Sequence, residues 1–398
     1  MKEILIIGAF DRYNYGDLLF PIIIEQQLKS YGDDITFNYY GIVKSDLSAL
    51  GGKPTESIQD FYQRCDDIAA GKASVIVAGG EAVAVTWNSL LVALNKYFRL
   101  TRRYQHHINR IIDLNKTAKA ILKGRTDFPF VFNSNDFKAV DHVLLNSLGG
   151  SEIDPALFTK EKILKQKLQQ VDYFAVRDKT TRQNLGNAGI NTLLFPDSAI
   201  LMSKFFPREV LAKRVSPEVR DFVADHAQNY VFFQTNRNHA KGQESLIANE
   251  LNALQQQHAV KICLCPIGRA LNHDDHEALE SIRPLLKEDA AYFGDSHIWD
   301  VMYLIANATS YIGTSLHGAI TAMSFAVPYV GLRVKKLDSY LKTWGVEALN
   351  HVVNLNEIAS QYAKAIAVSK SELQRTLDIQ IRESERSFDR MREIITSS

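Results

Sequence analysis

The sequence predicts two doubly wound, Rossmann-like α/β domains facing a central cleft. Three observations carry that expectation. Short apolar runs alternate with amphipathic stretches, the pattern of parallel strands covered by helices on both faces. The alternation pauses near residue 205 and resumes near residue 229. The polar motifs fall directly after the apolar runs, where open parallel sheets bind ligands.

In chain order, EILIIG is a buried strand, followed by a Gly-Asp turn and the helical pattern DLLFPIIIEQQLKSYG, which closes on a glycine. DITFNYY is a second strand, ESIQDFYQRCDDIAAG a helix, and SVIVAGG a third strand ending in a glycine pair. Residues 89–124 lack proline and are expected to be mainly helical. They carry a basic cluster of Arg99, Arg102, Arg103, His106 and His107. Strand DHVLLNSLGG, a helix over 155–170, strand VDYFAV, helix RDKTTRQNLGNAG and strand NTLLFPDSA complete a first domain of residues 1–204. Residues 205–228 open with two prolines, several charges and no strand pattern, and are taken as a linker. The second domain covers residues 229–365. It runs NYVFFQTN, a helix over 243–257, VKICLCP, a helix over 273–287, AYF, IWDVMYLIANA, TSYIGTS, LHGAITAMSFA and PYVGL. Residues 366–398 form one long amphipathic helix, expected to pack back on the first domain, with homodimer formation as the alternative.

Composition narrows the partners. Of 398 residues, 46% are hydrophobic and 23% charged, as in soluble globular chains. Lysine and arginine number 46 against 45 acids, so no overall charge draws the chain to nucleic acid, and positive charge for an anionic ligand must be local. Cys65, Cys263 and Cys265 are too few for a disulfide framework and suit a reducing cytoplasm. Cys263 and Cys265 share one strand face, but no second Cys/His pair stands at zinc-like spacing, so they are expected to be core thiols and no metal is expected. The N-terminal apolar run is broken by Asp11 and Arg12, too early for a signal peptide, and no stretch reaches ~18–20 apolar residues, so no integral membrane segment is expected.

The motifs each admit two readings. Asn14-Tyr15-Gly16-Asp17 follows the first strand: glycine permits close backbone approach and the helix start offers N–H groups to an anion, while Asp17 alternatively serves as a helix cap. Gly79-Gly80-Glu81 and Asn146-Ser147-Leu148-Gly149-Gly150 end strands as ligand cradles or as turns. Arg177 faces an anion or pairs with an aspartate between layers, and Asp178 fits a helix cap. Asp197, after Pro196, points into the cleft or caps a turn. Asn236-Arg237-Asn238 ends the first strand of the second half, and the planar fork of Arg237 suits phosphate or carboxylate. Gly313-Thr314-Ser315-Leu316-His317-Gly318 gathers amides, hydroxyls and an imidazole at a helix start, which suits an oxyanion with His317 as donor or proton shuttle.

Taken in order, NYGD, the glycine pair after VIVA, AVRDKTT with the later GI and PDSA, and GTSLHGAITAMSFAVPYVGL resemble the polysaccharide pyruvyl transferase family over roughly residues 1–332. The resemblance implies a GT-B-like fold, phosphoenolpyruvate as donor substrate without further cofactor, and a sugar acceptor, lipid-linked oligosaccharide included, with the acceptor on the first domain, 1–204, and the donor on the second, 229–365. Two sugar hydroxyls would close a ketal in cell-surface or exopolysaccharide biosynthesis. It implies His317 as the group acting on the donor, Arg237 and Arg177 as anion clamps, and Asp17 or Asp197 as the acceptor-side base. Asn14, Gly16, Gly79, Gly80, Asn236, Ser315, Leu316 and Gly318 complete the expected binding set. Many members carry arginine two residues before the histidine, whereas this chain has Ser315; Arg177, Arg269 and Arg333 are the candidate replacements. Two other readings suit the same architecture: a nucleotide-sugar-dependent glycosyltransferase, and a non-catalytic sugar- or partner-binding member.

Overall fold

The computed structural model describes residues 2–69, 72–95, 97–98, 108, 112–269 and 274–397. Its first sheet comprises β1 (Lys2–Ile7), β2 (Ile35–Tyr40), β3 (Ala73–Ala78), β4 (Val140–Leu148), β5 (Tyr173–Val176) and β6 (Leu193–Leu194), in the order β2-β1-β3-β4-β5-β6. The second comprises β7 (Tyr230–Gln234), β8 (Lys261–Leu264), β9 (Ala291–Tyr292), β10 (Ser310–Gly313), β11 (Tyr329–Leu332) and β12 (Val352–Val353), in the order β12-β11-β10-β7-β8-β9. Every pairing is parallel. Parallel strands buried on both faces need near-continuous apolar runs. Both β3 and β7 are buried along their whole length.

Strand order adds what periodicity alone does not show. In the first sheet the winding reverses between β1 and β3, and in the second between β7 and β10. Helices on opposite faces leave a crevice at the carboxyl end of such a reversal. The helices that shape it are α1 (Tyr15–Lys29), α2 (Lys179–Asn187), α3 (Asp275–Ile282), α4 (Leu316–Ser324) and α5 (Lys335–Trp344).

The two halves are joined by more than their connection. The Tyr15 amide donates to the Ile267 carbonyl at 3.2 Å, Asn14 and Gly268 form an isolated bridge, and the Tyr15 and Thr321 hydroxyls lie 2.8 Å apart. Trp344 Nε1 donates to the Arg177 carbonyl at 2.8 Å. One apolar cluster runs without a break from Ile4 and Phe20 through Phe206 to Tyr311 and Leu316.

Three expectations on local structure change. Within residues 205–228, two short helices, Arg208–Leu211 and Pro217–His226, bury Leu211, Val219 and Val223 in that cluster. The prolines suggested a tether, yet Pro207 and Pro217 stand at the cap and first turn of these helices, where a missing N–H costs nothing. The helix expected over 155–170 breaks at Glu161 into Leu157–Lys160 and Lys162–Gln169. The one expected over 273–287 ends at Ile282, before a 3₁₀ turn containing Pro284.

The basic cluster at Arg99, Arg102, Arg103, His106 and His107 lies outside the described residues; helices Trp87–Leu94 and Leu114–Ile121, on either side of it, pack against each other. The helix α6 (Lys370–Thr396) bonds to both halves. Arg392 holds Asp33 at 2.7 and 3.0 Å, and the Ser387 and Tyr173 hydroxyls meet at 2.6 Å, while Gln380 reaches Tyr340 and Trp344. All three cysteines are free and buried, and burial pushes the Cys265 thiol up to about 12. No helix among the described residues is long and apolar enough to cross a membrane.

Candidate active site

A cleft of about 380 Å³ opens where the two winding reversals face each other. Gly8, Arg12, Asn14 and Asp17 enter it after β1, and Gly79, Gly80 and Glu81 after β3. From the other half come Gln234 and Asn236 after β7, Thr314, Ser315, Leu316 and His317 after β10, and Lys336 from α5.

His317 belongs to the second half but is held by the first. Its ring meets Phe20 edge-on, with centroids 5.2 Å apart. It also packs against Gly16, where an added Cβ would fall 1.9 Å from Nδ1, so position 16 admits only glycine while the ring stays there. Phe20 in turn rests on Gly79, whose φ of +66° and proximity to that ring both require the missing Cβ. The buried Nε2 of His317 stands 3.5 Å from Asp197 Oδ2 and has no closer partner among the described residues. An Asp–His pair of this kind fixes the ring's orientation, with Nδ1 on the Gly16 side.

Asp197 is fully buried, and it also receives Arg177 Nη1 at 3.2 Å and the Ala199 amide at 3.0 Å. Burial pushes its carboxyl up, but His317, Arg177 and the Ala199 amide outweigh that and hold it below the usual carboxylate range. The second fork of Arg177 holds Glu81 at 2.9 Å. Arg177 is 2% exposed, and its charge is answered on both sides.

Opposite this cluster, Gln234 organises the start of α4. Its Oε1 accepts from the amides of Thr314 at 3.1 Å and Ser315 at 3.0 Å, and from the Thr314 hydroxyl at 3.3 Å. Ser315 Oγ caps the helix by accepting from the Gly318 amide at 3.2 Å. The amides of residues 314, 315 and 318 are therefore engaged within the protein. Those of Leu316 and His317 are not used by these contacts.

Nine of the residues singled out in the sequence converge on the cleft: Asn14, Asp17, Gly79, Gly80, Arg177, Asn236, Ser315, Leu316 and His317. Gly16 and Gly318 lie just behind it, beneath His317 and Tyr311. Asp17 sits in the first turn of α1 rather than at its cap, which is Asn14, and Asp178 caps α2 through the Thr181 amide at 2.8 Å.

Two readings are corrected. Asp197 does not face the cleft as a base for an acceptor, because it is enclosed behind His317 and Arg177. Arg237 does not reach the cleft as an anion clamp. Its neighbour Asn236 turns inward and caps the short helix Arg237–Ala240, which carries Arg237 outward into an ion pair with Glu277 over a separate shallow groove. The other candidate cations are also engaged elsewhere: Arg269 with Ser296, Asp295 and the Tyr13 ring, and Arg333 with Asn354.

Sequence reading missed Arg12, Lys336, Gln234 and Asp275, all of which line the cleft. Arg12 was legible as a cation two residues before the NYGD segment. Lys336 follows the last apolar run of the family-like segment. Gln234 and Asp275 carried no sequence signal, since their roles arise from tertiary hydrogen bonds.

Known proteins agree with this architecture. The UDP-GlcNAc 2-epimerase of Neisseria meningitidis bound to UDP-GlcNAc superposes with a TM-score of 0.56 at 11% identity, covering 100% of each chain. The UDP-GlcNAc 2-epimerase of Methanocaldococcus jannaschii gives 0.56 at 13% identity, again over 100% of each chain. The HepE protein of Anabaena in complex with UDP-glucose gives 0.54 at 13%, with 100% of each chain covered. At such identities the likeness establishes the fold, the two-domain GT-B type. No curated protein matches the sequence. The family model for polysaccharide pyruvyl transferases matches residues 14–336, and the chain belongs to that family.

Proposed function

We propose that the chain moves a pyruvyl group from phosphoenolpyruvate onto two hydroxyls of a sugar, closing a ketal and releasing phosphate. The observation that carries this reading is His317, which lines the cleft at the meeting of both winding reversals with Nε2 turned to Asp197. The donor is a small anion whose methylene carbon must gain a proton before C2 can be attacked. One hydroxyl adds to C2, the C2–O bond to phosphate breaks, and the second hydroxyl takes its place. One hydroxyl proton ends on the methyl carbon and the other on phosphate. Such chemistry needs a proton-transferring group and cations placed for phosphate and carboxylate.

His317 is assigned the proton transfer, with Asp197 as its positioning residue. Arg12 and Lys336 take over the anion-binding part expected of Arg177 and Arg237. Lys336 has no acidic partner among the described residues, whereas Arg12 shares its charge with Asp11 at 3.3 Å. Asp17 lines the first-half wall with no bonded partner among the described residues, and is assigned to a sugar hydroxyl.

The test is calorimetric titration with phosphoenolpyruvate, followed by mass spectrometry of candidate sugars incubated with donor and protein. Saturable binding with a pyruvylated product supports the reading. Binding of UDP-sugars with none of phosphoenolpyruvate would replace it with a nucleotide-sugar-dependent reading such as glycosyl transfer, since fold neighbours are seen bound to UDP-sugars.

A further inference from the structure

Asp275 opens α3 at the wall of the cleft and is 1% exposed. Its Oδ2 accepts three hydrogen bonds, from the amides of Ile267 at 3.0 Å and Gly268 at 2.9 Å and from Gln234 Nε2 at 2.8 Å. Its Oδ1 is buried and has no partner among the described residues. Gln234 cannot turn to serve it, because a flipped amide would set an NH₂ group against the donors of Thr314 and Ser315. A buried carboxylate oxygen without a partner is costly, and a proton relieves that cost. With three donors already on Oδ2, the proton belongs on Oδ1.

We propose that Asp275 is a ligand-binding residue of the cleft, its Oδ1–H donating a hydrogen bond to an anionic oxygen of the donor substrate. The identity of that substrate rests on the pyruvyl-transfer reading; the protonated carboxyl does not. Burial pushes the group up to about 7, against the pull of the three donors. Asp274 adds negative charge beside it, and Cys265 and Tyr311 face it from β8 and β10. Among the elements packed on α3, the turn after β7 carries Arg237, paired with Glu277, and His239, bonded to Asn236 and the Arg333 carbonyl. The helix Glu244–His258 carries Glu244 at the same groove. The sign follows directly: below the folded pKa, Asp275 is a neutral donor, and above it the site holds an extra negative charge that repels the ligand.

The decisive variant is Asp275→Asn, whose oxygen can keep the three contacts of Oδ2 while its NH₂ stands permanently where Oδ1–H stood. Phosphoenolpyruvate is titrated calorimetrically into wild type and variant at pH 6 and pH 8.5. The ratio of their affinities cancels the ligand's own ionisation. Near-equal binding at pH 6, with the variant about tenfold tighter at pH 8.5, is the expected result. A variant weaker at both pH values by the same factor overturns the proposal and makes Oδ1 an acceptor or a structural group. If the variant does not fold, or phosphoenolpyruvate binds neither protein, ¹³C-aspartate spectra of the free wild type decide. A buried carboxyl titrating near neutrality supports the inference, and its absence sinks it independently of the donor's identity.

Discussion

On the first-sheet side of the cleft Arg177 is paired with both Glu81 and Asp197, whereas on the second-sheet side Gln234 and Asp275 link the strand ends and leave one carboxyl oxygen over. In the first wall the Arg177 cluster is closed, its fork paired within the protein, while Arg12 and Asp17 beside it line the cleft. The second is held as firmly but keeps capacity for a ligand. A buried arginine in a cleft is therefore weak evidence for anion binding, since its own carboxylates have already claimed its fork. A buried oxygen without a partner is stronger evidence, because the folded protein alone leaves it unsatisfied.

His317 joins the two walls, so replacing it should give the largest effect. His317→Ala is expected to lower pyruvyl transfer roughly 10²–10⁴-fold, the usual contribution of a positioned acid–base group, without loss of fold. Product formation in single-turnover assays checks this. A loss below tenfold would move proton transfer to another group and break the join between the walls.

The closed cluster of the first wall is tested next, through stability. Asp197→Ala leaves Arg177 buried with Glu81 alone and should cost about 3–5 kcal/mol of unfolding free energy. Because the Asp197 carboxyl is held below its unfolded value, its contribution is present above the unfolded pKa and is lost as pH falls through the folded one. Denaturant midpoints for wild type and variant should accordingly converge in acid. A constant gap between them would show that packing, not charge, dominates this wall.

Lys336 sharpens the comparison from the binding side. As a cleft cation without an acidic partner among the described residues, it should contribute to donor affinity in a salt-dependent way. Lys336→Ala is expected to weaken phosphoenolpyruvate binding about 3–10-fold at low salt and less at high salt, by calorimetry. The corresponding change in an already neutralised cation would show little salt dependence.

Much of this was legible in the sequence, and what was not has a common cause. The strands followed from apolar runs, and the cleft-lining segments followed from their places at strand ends. Asp178 as a cap was also legible, because it depends only on a neighbour three residues along the chain. Asp197 was misread because its partner His317 lies 120 residues away in sequence, on the other half. Gln234 was invisible because an apolar strand ending in glutamine says nothing of the amides its side chain will meet. Strand order, which places β1, β3, β7 and β10 at the reversals, is likewise a tertiary property.

The smallest expected effect is the most instructive about motif reading. Asn236 and Arg237 are adjacent residues at the end of a strand that borders the winding reversal, and the planar fork of Arg237 suits an anion. The chain nevertheless starts a helix there, with Asn236 as its cap, and one step along that helix swings the next side chain away from the cleft to Glu277. Both partners of that pair are largely exposed, so water screens it, and such pairs contribute little. Arg237→Ala should change stability by no more than about 0.5 kcal/mol and leave phosphoenolpyruvate affinity unchanged within calorimetric error. A marked loss of affinity would mean that the turn after β7 rearranges when ligand binds, bringing Arg237 inward to join Lys336 as a second cation on that wall.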